Sequence, residues 1–156
     1  MRPLSGHAFN QRRDGLYARL DRLGRVAFQD LGGDRPTRKF VADLLVPGQV
    51  GEPRLPDAVR FHYQEWWRQS PLGWLRVGYD YDYLDLIEGG RRGYHLHPLG
   101  RAETVPHAVC VLPDGSGEGR HYAAFEVELL AAHEEFEAQY AAGRPIDCRG
   151  LRPIDE

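Results

Sequence analysis

A run of strict alternation from Trp74 to Tyr83 constrains the fold of this chain more than any other feature. Every second residue along it is apolar or aromatic, the set being Leu75, Val77, Tyr79, Tyr81 and Tyr83. Side chains of a β-strand point alternately to its two faces, so this period of two indicates a strand that is buried on one side. We predict such a strand here, with the tyrosines in the core.

A Gly-Gly pair downstream of this run predicts a hairpin. Gly89-Gly90 matches a preferred two-residue loop, and a return strand follows up to His97. In this register Asp82 pairs with His97. Paired residues share a face, so one face of the hairpin is expected to hold Asp80, Asp82, His95 and His97. A slip of one residue would move every side chain to the other face.

Apolar residues at helical spacing predict most of the remaining elements. Two N-terminal helices are expected over residues 10–31 and 36–45, and a long helix over residues 125–140. Further strands are expected over residues 59–67 and 105–112. The predicted fold class is α+β: an antiparallel β-meander of three to five strands, with an N-terminal helical pair and a long C-terminal helix packed on one face.

The length of 156 residues favours a single α+β domain over residues 1–156. Its expected parts are a helical N-terminal part (1–46), a loop rich in proline and glycine (47–57), the sheet (58–112), and the C-terminal helix and tail (121–156). A separate N-terminal domain is disfavoured because so short a segment makes a marginal core.

Bulk composition predicts a cytoplasmic protein. No window approaches the roughly 18 apolar residues of a membrane span, and the start M-R-P-L-S-G-H lacks the apolar region of a secretion signal. The two cysteines, Cys110 and Cys148, do not form the pattern of a disulfide framework. We therefore expect no membrane association and a reducing compartment.

Charge is distributed unevenly along the chain. Residues 1–39 carry nine basic and four acidic side chains, a net charge of +5, whereas the whole chain has a net charge of −3. The favoured interpretation is that this basic N-terminal part and the acidic remainder of the chain attract each other within one fold. The alternative is that a basic N-terminal helix contacts nucleic acid.

His95-x-His97 carries the strongest chemical signal. Two imidazoles on one face of a strand suit two ligands of one metal, or an acid and a base flanking a phosphodiester. Asp80 and Asp82 could ligate as well, or orient an imidazole through its second nitrogen. A solvent-facing polar strip without function is the equally weighted alternative. His107 lies in an apolar row, a pattern more typical of a buried, hydrogen-bonded histidine.

Phosphate binding is the role predicted for the residues beside the turn. Arg91 and Arg92 could clamp a phosphate, and with Tyr94 they form the candidate substrate-binding set. His121 and His133 are interpreted as incidental. The chain has no phosphate-binding loop, no H-E-x-x-H and no G-x-S-x-G, so nucleotide hydrolases and the common hydrolase classes are not supported.

The central segment, about residues 75–112, resembles the TumE-like toxins of bacterial toxin–antitoxin pairs. The resemblance is carried by Tyr79-x-Tyr81-x-Tyr83, Tyr94-His95-x-His97-Pro98 and Thr104-Val105-Pro106-His107. The paired histidines of that family are replaced here by His107-Ala108. The resemblance implies a small α+β protein that acts on nucleic acid, and it places weight on His95, His97 and His107.

These patterns together predict a small prokaryotic toxin- or defence-type protein that acts on RNA. The candidate catalytic residues are His95, His97, His107, Asp80 and Asp82. The metal is left unknown: a divalent ion is considered, and no cofactor is favoured. The alternative is a non-catalytic protein- or nucleic-acid-binding subunit of a larger complex. An antitoxin or complex subunit, and a homodimer, are the partners considered.

Overall fold

The computed structural model describes residues 2–45, 59–97, 105–118, 120–143 and 146–154. Within these ranges, eight antiparallel strands form one sheet in sequence order. The elements are α1 (Gly6–Leu20), β1 (Gly24–Gly32), β2 (Thr37–Leu45), β3 (Val59–Ser70), β4 (Gly73–Asp85), β5 (Arg91–Leu96), β6 (His107–Val111), β7 (His121–Ala123), α2 (Leu129–Ala141) and β8 (Arg152–Pro153). The predicted loop 47–57 lies outside the described residues.

The prediction of three to five strands, a helical pair and a long C-terminal helix is wrong. One helix precedes the sheet, and the segment predicted as the second helix is β2. The apolar residues of β2 fit both periods, but Phe40, Ala42 and Leu44 follow the strand period and are fully buried. Gly32 and Gly33 have φ of 67° and 97°, a conformation that favours glycine, and they turn β1 back into β2.

The C-terminal helix is shorter than expected. It spans 13 residues from Leu129, four residues later than predicted, and residues 121–123 before it pair with β6 as a strand. Phe125, which the helical pattern had included, is 94 % exposed and precedes the helix. The apolar spacing therefore predicts a helix that begins too early in the chain, because a short strand and a connecting segment precede Leu129.

Tyrosines form the core as predicted. Tyr79, Tyr81 and Tyr83 are buried on the sheet face that α1 and α2 cover, and Phe136 of α2 packs against Tyr83. The strict alternation breaks at one point. Trp66 pairs with Gly78 but Trp67 pairs with Arg76, so β4 has one extra residue between them. This bulge turns Trp74 and Arg76 toward the covered face, opposite to the expectation.

The hairpin of β4 and β5 has the predicted faces in a different register. Asp80 pairs with His95 and Asp82 with Gly93, four residues away from the expected pairing. The cause is the turn, which spans residues 86–90 rather than two glycines. Asp85 holds this turn by accepting hydrogen bonds from the backbone of the next residues. A shift of four residues, like any even shift, leaves each paired side chain on its expected face.

Cys110 and Cys148 form a disulfide, contrary to the expectation from their number. The bond ties the C-terminal tail to β6. Disulfides persist mainly in oxidising compartments, so the predicted reducing cytoplasm stays a prediction that this bond does not support. None of the described helices has the length and apolar character to cross a bilayer.

Reduction of this disulfide is expected to destabilise the fold substantially. The two cysteines are 38 residues apart, and in the chain-entropy model closing a loop of that length stabilises by about 4 kcal/mol. Urea unfolding with and without reductant measures the difference, with free thiols counted to verify reduction. The Cys148→Ser variant serves as control, because its midpoint should not respond to reductant. An unchanged midpoint in fully reduced wild type contradicts the prediction.

Candidate functional site

Histidine and aspartate side chains line the sheet face opposite the helices. Five of the seven histidines in the chain lie on this face of strands β3 to β7, or directly after β5, and they are His62, His95, His97, His107 and His121. The strand register sets Asp82 beside His62, and Asp80 beside His95. The result is a polar strip that crosses five neighbouring strands.

Ring contacts link four of these histidines in one group, and we call them the histidine cluster: His95, His97, His107 and His121. His95 and His97 are two residues apart and therefore share a face. His107 is the direct pairing partner of His95 on β6. His121 pairs with Val109, two residues from His107, and its ring centroid lies 4.8 Å from that of His107. Three adjacent strands thus build the cluster.

Three members of the cluster come closest together. His95, His97 and His107 each offer one ring nitrogen, and these three nitrogens all lie within 4.8 Å of one another. The three ring centroids are 5.2 to 5.8 Å apart. His95 and His107 are buried, whereas His97 is partly exposed. Three imidazoles at this separation can bind one metal ion or exchange protons with one substrate.

Asp82 fixes the orientation of His95. Its Oδ1 lies 2.9 Å from Nε2 of His95, and Arg91 donates two hydrogen bonds to the same carboxylate. Burial alone would raise the pKa of Asp82, but the hydrogen bonds from His95 and Arg91 outweigh it and lower the pKa. An ionised carboxylate only accepts hydrogen bonds. Arg91, which can only donate, also lies 3.1 Å from the same Nε2, so Asp82 and Arg91 favour opposite tautomers of a neutral ring and together hold the imidazole in place.

A backbone carbonyl orients His107 in a similar way. Nδ1 of His107 lies 3.0 Å from the carbonyl oxygen of Val105, which can only accept a hydrogen bond. The neutral ring therefore carries its hydrogen on Nδ1 and keeps the lone pair on Nε2. His95 and His107, which face each other on β5 and β6, are thus both held by an acceptor at one nitrogen.

Gly93 makes the contact between Asp82 and His95 sterically possible. A Cβ atom added to Gly93 would lie 2.2 Å from Oδ1 of Asp82 and 3.0 Å from Nε2 of His95. The carboxylate therefore reaches the imidazole across the bare Cα of Gly93. We had assigned this residue no role from the sequence, although a glycine inside a strand often marks such a close approach.

The histidine cluster lies in an open cleft of about 550 Å³. The floor is formed by β4 to β7, with Val109 and Val111 as apolar residues, and the segment after β6 contributes Gly117, Glu118 and Arg120. Arg91 also lines the cleft, and its side chain is 41 % exposed. The cleft is therefore large enough for a small substrate group and contains guanidinium groups suited to an anion.

The structure brings most of the predicted site residues together. Each of the five candidate catalytic residues lies in the cleft or bonds to a residue that does, namely Asp80, Asp82, His95, His97 and His107. The predicted substrate-binding set is divided. Arg91 lines the cleft, but Arg92 and Tyr94 lie on the covered face, where both bond to Glu135 of α2.

His121 is the functional candidate that sequence reasoning missed. It was interpreted as a residue beside the last helix, but it belongs to a three-residue strand. A strand of three residues is too short to show an alternation of apolar and polar residues. The turn that precedes it was therefore the only local sequence signal for this strand. Its position in the cluster follows from pairing with β6, which no local pattern encodes.

Comparison with known proteins finds no match: no family model, no curated protein and no solved structure is significantly similar to this chain.

Proposed function

We propose that this protein is a toxin- or defence-type enzyme that cleaves RNA in the histidine-lined cleft. The observation that carries the proposal is the convergence of the histidine cluster with Asp80, Asp82 and Arg91 in one cleft. The resemblance to TumE-like toxins supports it, because the residues that carry that resemblance include His95, His97 and His107.

Cleavage of a phosphodiester requires groups of the kind present here. The nucleophile must lose a proton, the leaving oxygen must gain one, and the phosphoryl oxygens must be neutralised. The neutral rings of His95 and His107 each carry one lone pair, which can accept a proton or bind a cation that activates the nucleophile. Arg91 and Arg120 are positively charged groups beside them. Asp82 is a positioning residue, because it acts through His95.

The charge of the N-terminal part supports a role in folding more than in RNA binding. Arg12 pairs with Glu65 and Glu128, and Arg19 lies 4.0 Å from Glu134 of α2. These ion pairs neutralise part of the N-terminal positive charge within the fold, as expected if the basic N-terminal part and the acidic remainder of the chain attract each other. We therefore assign substrate binding to the cleft on the opposite face.

Growth of a bacterial host that expresses the protein tests this proposal. We expect the wild type to arrest growth and its total RNA to show new cleavage ends. The His95→Ala/His97→Ala variant, expressed at matched soluble level, should do neither. The His7→Ala variant is the control, because His7 is an exposed histidine on the helix that covers the other face.

Two results contradict the proposal. One is a wild type that neither arrests growth nor cleaves purified RNA. The other is a double variant that is as toxic as the wild type, which would place the activity elsewhere. A harmless protein that co-purifies with a stable partner would favour the non-catalytic binding subunit instead.

A further inference from the structure

We propose that His95, His97 and His107 together bind one divalent transition-metal cation, for which Zn²⁺ is the reference ion. This inference rests on the proposed function in that it names the cofactor of the same cleft. The site itself can be tested without any substrate, because metal binding depends only on the three imidazoles and their surroundings.

The positions of the three nitrogens fit a single ion after small side-chain rotations. In a tetrahedral zinc site the Zn–N distance is about 2.0 to 2.1 Å, which puts two ligand nitrogens about 3.3 Å apart. The nitrogens here lie within 4.8 Å of one another. The gap to be closed is at most about 1.5 Å, which lies within the reach of rotations about the χ angles of histidine.

Two of the three imidazoles already have the surroundings of metal ligands. A ligating histidine usually donates its other ring N–H to a carboxylate or a backbone carbonyl, which fixes the tautomer and the ring plane. Asp82 accepts from His95, and the Val105 carbonyl accepts from His107. The planes of both rings are therefore held before any ion binds. Catalytic zinc sites with three histidines keep a fourth position for water or substrate.

Asp80 supplies an independent observation. Its Oδ1 is shielded from solvent and accepts no hydrogen bond from the described residues. The same oxygen lies 3.9 Å from Nδ1 of His97. A shielded carboxylate oxygen without a donor is costly unless a positive charge is near. The Arg91 guanidinium supplies part of that charge, and a cation held by the three imidazoles would add to it.

The donor set also selects the kind of ion. Imidazole nitrogen suits Zn²⁺, Cu²⁺, Ni²⁺ and Fe²⁺, whereas Mg²⁺ and Ca²⁺ prefer oxygen ligands. We therefore expect Zn²⁺ to bind tightly and Mg²⁺ to bind weakly at this cleft. A bound transition metal would supply Lewis-acid chemistry to a phosphodiester substrate.

Calorimetric titration of chelator-treated, dialysed protein with Zn²⁺ tests the inference. We expect one ion per chain for the wild type and the His7→Ala control. His107→Ala should weaken binding at least about 100-fold, and Asp82→Asn about 10- to 100-fold, the usual range for an outer partner of a ligand. Titration with Co²⁺ adds a spectroscopic check, because its visible absorption reports coordination by nitrogen.

His97→Ala guards against a folding artefact, since His97 is partly exposed and its removal leaves no buried cavity. Each variant is titrated only after its circular dichroism matches the wild type. Absence of Zn²⁺ binding by the wild type, or wild-type Zn²⁺ affinity in the folded His97→Ala or His107→Ala variant, overturns the metal site. Growth arrest would then still uphold the proposed function. Zinc binding by a protein that neither arrests growth nor cleaves purified RNA would uphold the site and overturn the function.

Discussion

Replacement of Glu65 by alanine is expected to lower the free energy of unfolding by about 3 to 5 kcal/mol, the usual cost of breaking a buried ion pair. Glu65 lies on β3, on the covered face, and is fully buried. Its carboxylate accepts hydrogen bonds from Arg12, Trp67 and Tyr81, and lies 3.2 Å from the Arg76 guanidinium. The variant would leave all four groups without this acceptor.

The two arginines explain why the effect is large. Burial alone would raise the pKa of Glu65, but the positive charges of Arg12 and Arg76 outweigh it and lower the pKa below its usual value of 4.5. The carboxylate is therefore ionised at neutral pH. The side chain of Arg76 is itself fully buried, and its other acidic contacts are Glu126 and Glu128 at 3.0 and 3.4 Å. An arginine so deeply buried tolerates the loss of a counter-charge poorly.

Urea unfolding at neutral pH measures this effect, with Arg13→Ala as the control. Arg13 pairs with Asp14 on the surface, so its loss should cost no more than about 1 kcal/mol. A group with a lowered pKa stabilises the fold above its unfolded-state pKa, and this stabilisation is lost as the pH falls through its folded-state pKa. Wild type should thus lose more stability than Glu65→Ala below pH 4.5. A variant within about 1 kcal/mol of wild type contradicts the prediction.

Local sequence patterns were sufficient to predict the central hairpin and the faces of its side chains from Tyr79 onward, but not its register or the faces of Trp74 and Arg76. Alternation located β4, and Asp80, Asp82, His95 and His97 share a face as predicted. The five-residue turn shifted the pairing by four residues, and only an odd shift would have reversed the faces. The same kind of pattern failed in residues 24–45, because apolar spacings there fit both a helix and a strand.

The rest of the site depends on contacts between distant parts of the chain. His121 reaches the cluster only through the pairing of β7 with β6. Cys110 and Cys148 meet across 38 residues. The bulge that turns Arg76 toward Glu65 is visible only once β3 and β4 are in register. None of these features follows from the spacing of residues within one segment. The sequence patterns therefore predicted part of the site but not all of its residues.

Replacement of Gly93 by alanine is expected to disable the cleft while leaving the sheet folded. The new methyl group would occupy the position of the Asp82 carboxylate, which must move away from His95. The methyl would also lie 2.7 Å from the backbone carbonyl of Tyr81, so a stability cost of about 1 to 3 kcal/mol is expected. Loss of the orienting carboxylate should reduce zinc affinity about 10- to 100-fold. Growth arrest should weaken in parallel.

A double-mutant cycle separates the site from the fold in this prediction. If the methyl group acts by displacing the carboxylate, Gly93→Ala should add little further loss of zinc affinity in an Asp82→Ala background, whereas its stability cost should persist because the Tyr81 carbonyl remains. Gly15→Ala is the matched control, since a Cβ there meets nothing within 4 Å in the middle of α1. That change should leave zinc affinity unchanged and stabilise the helix slightly. Wild-type zinc affinity and toxicity in Gly93→Ala would show that the cleft does not need Asp82 at His95.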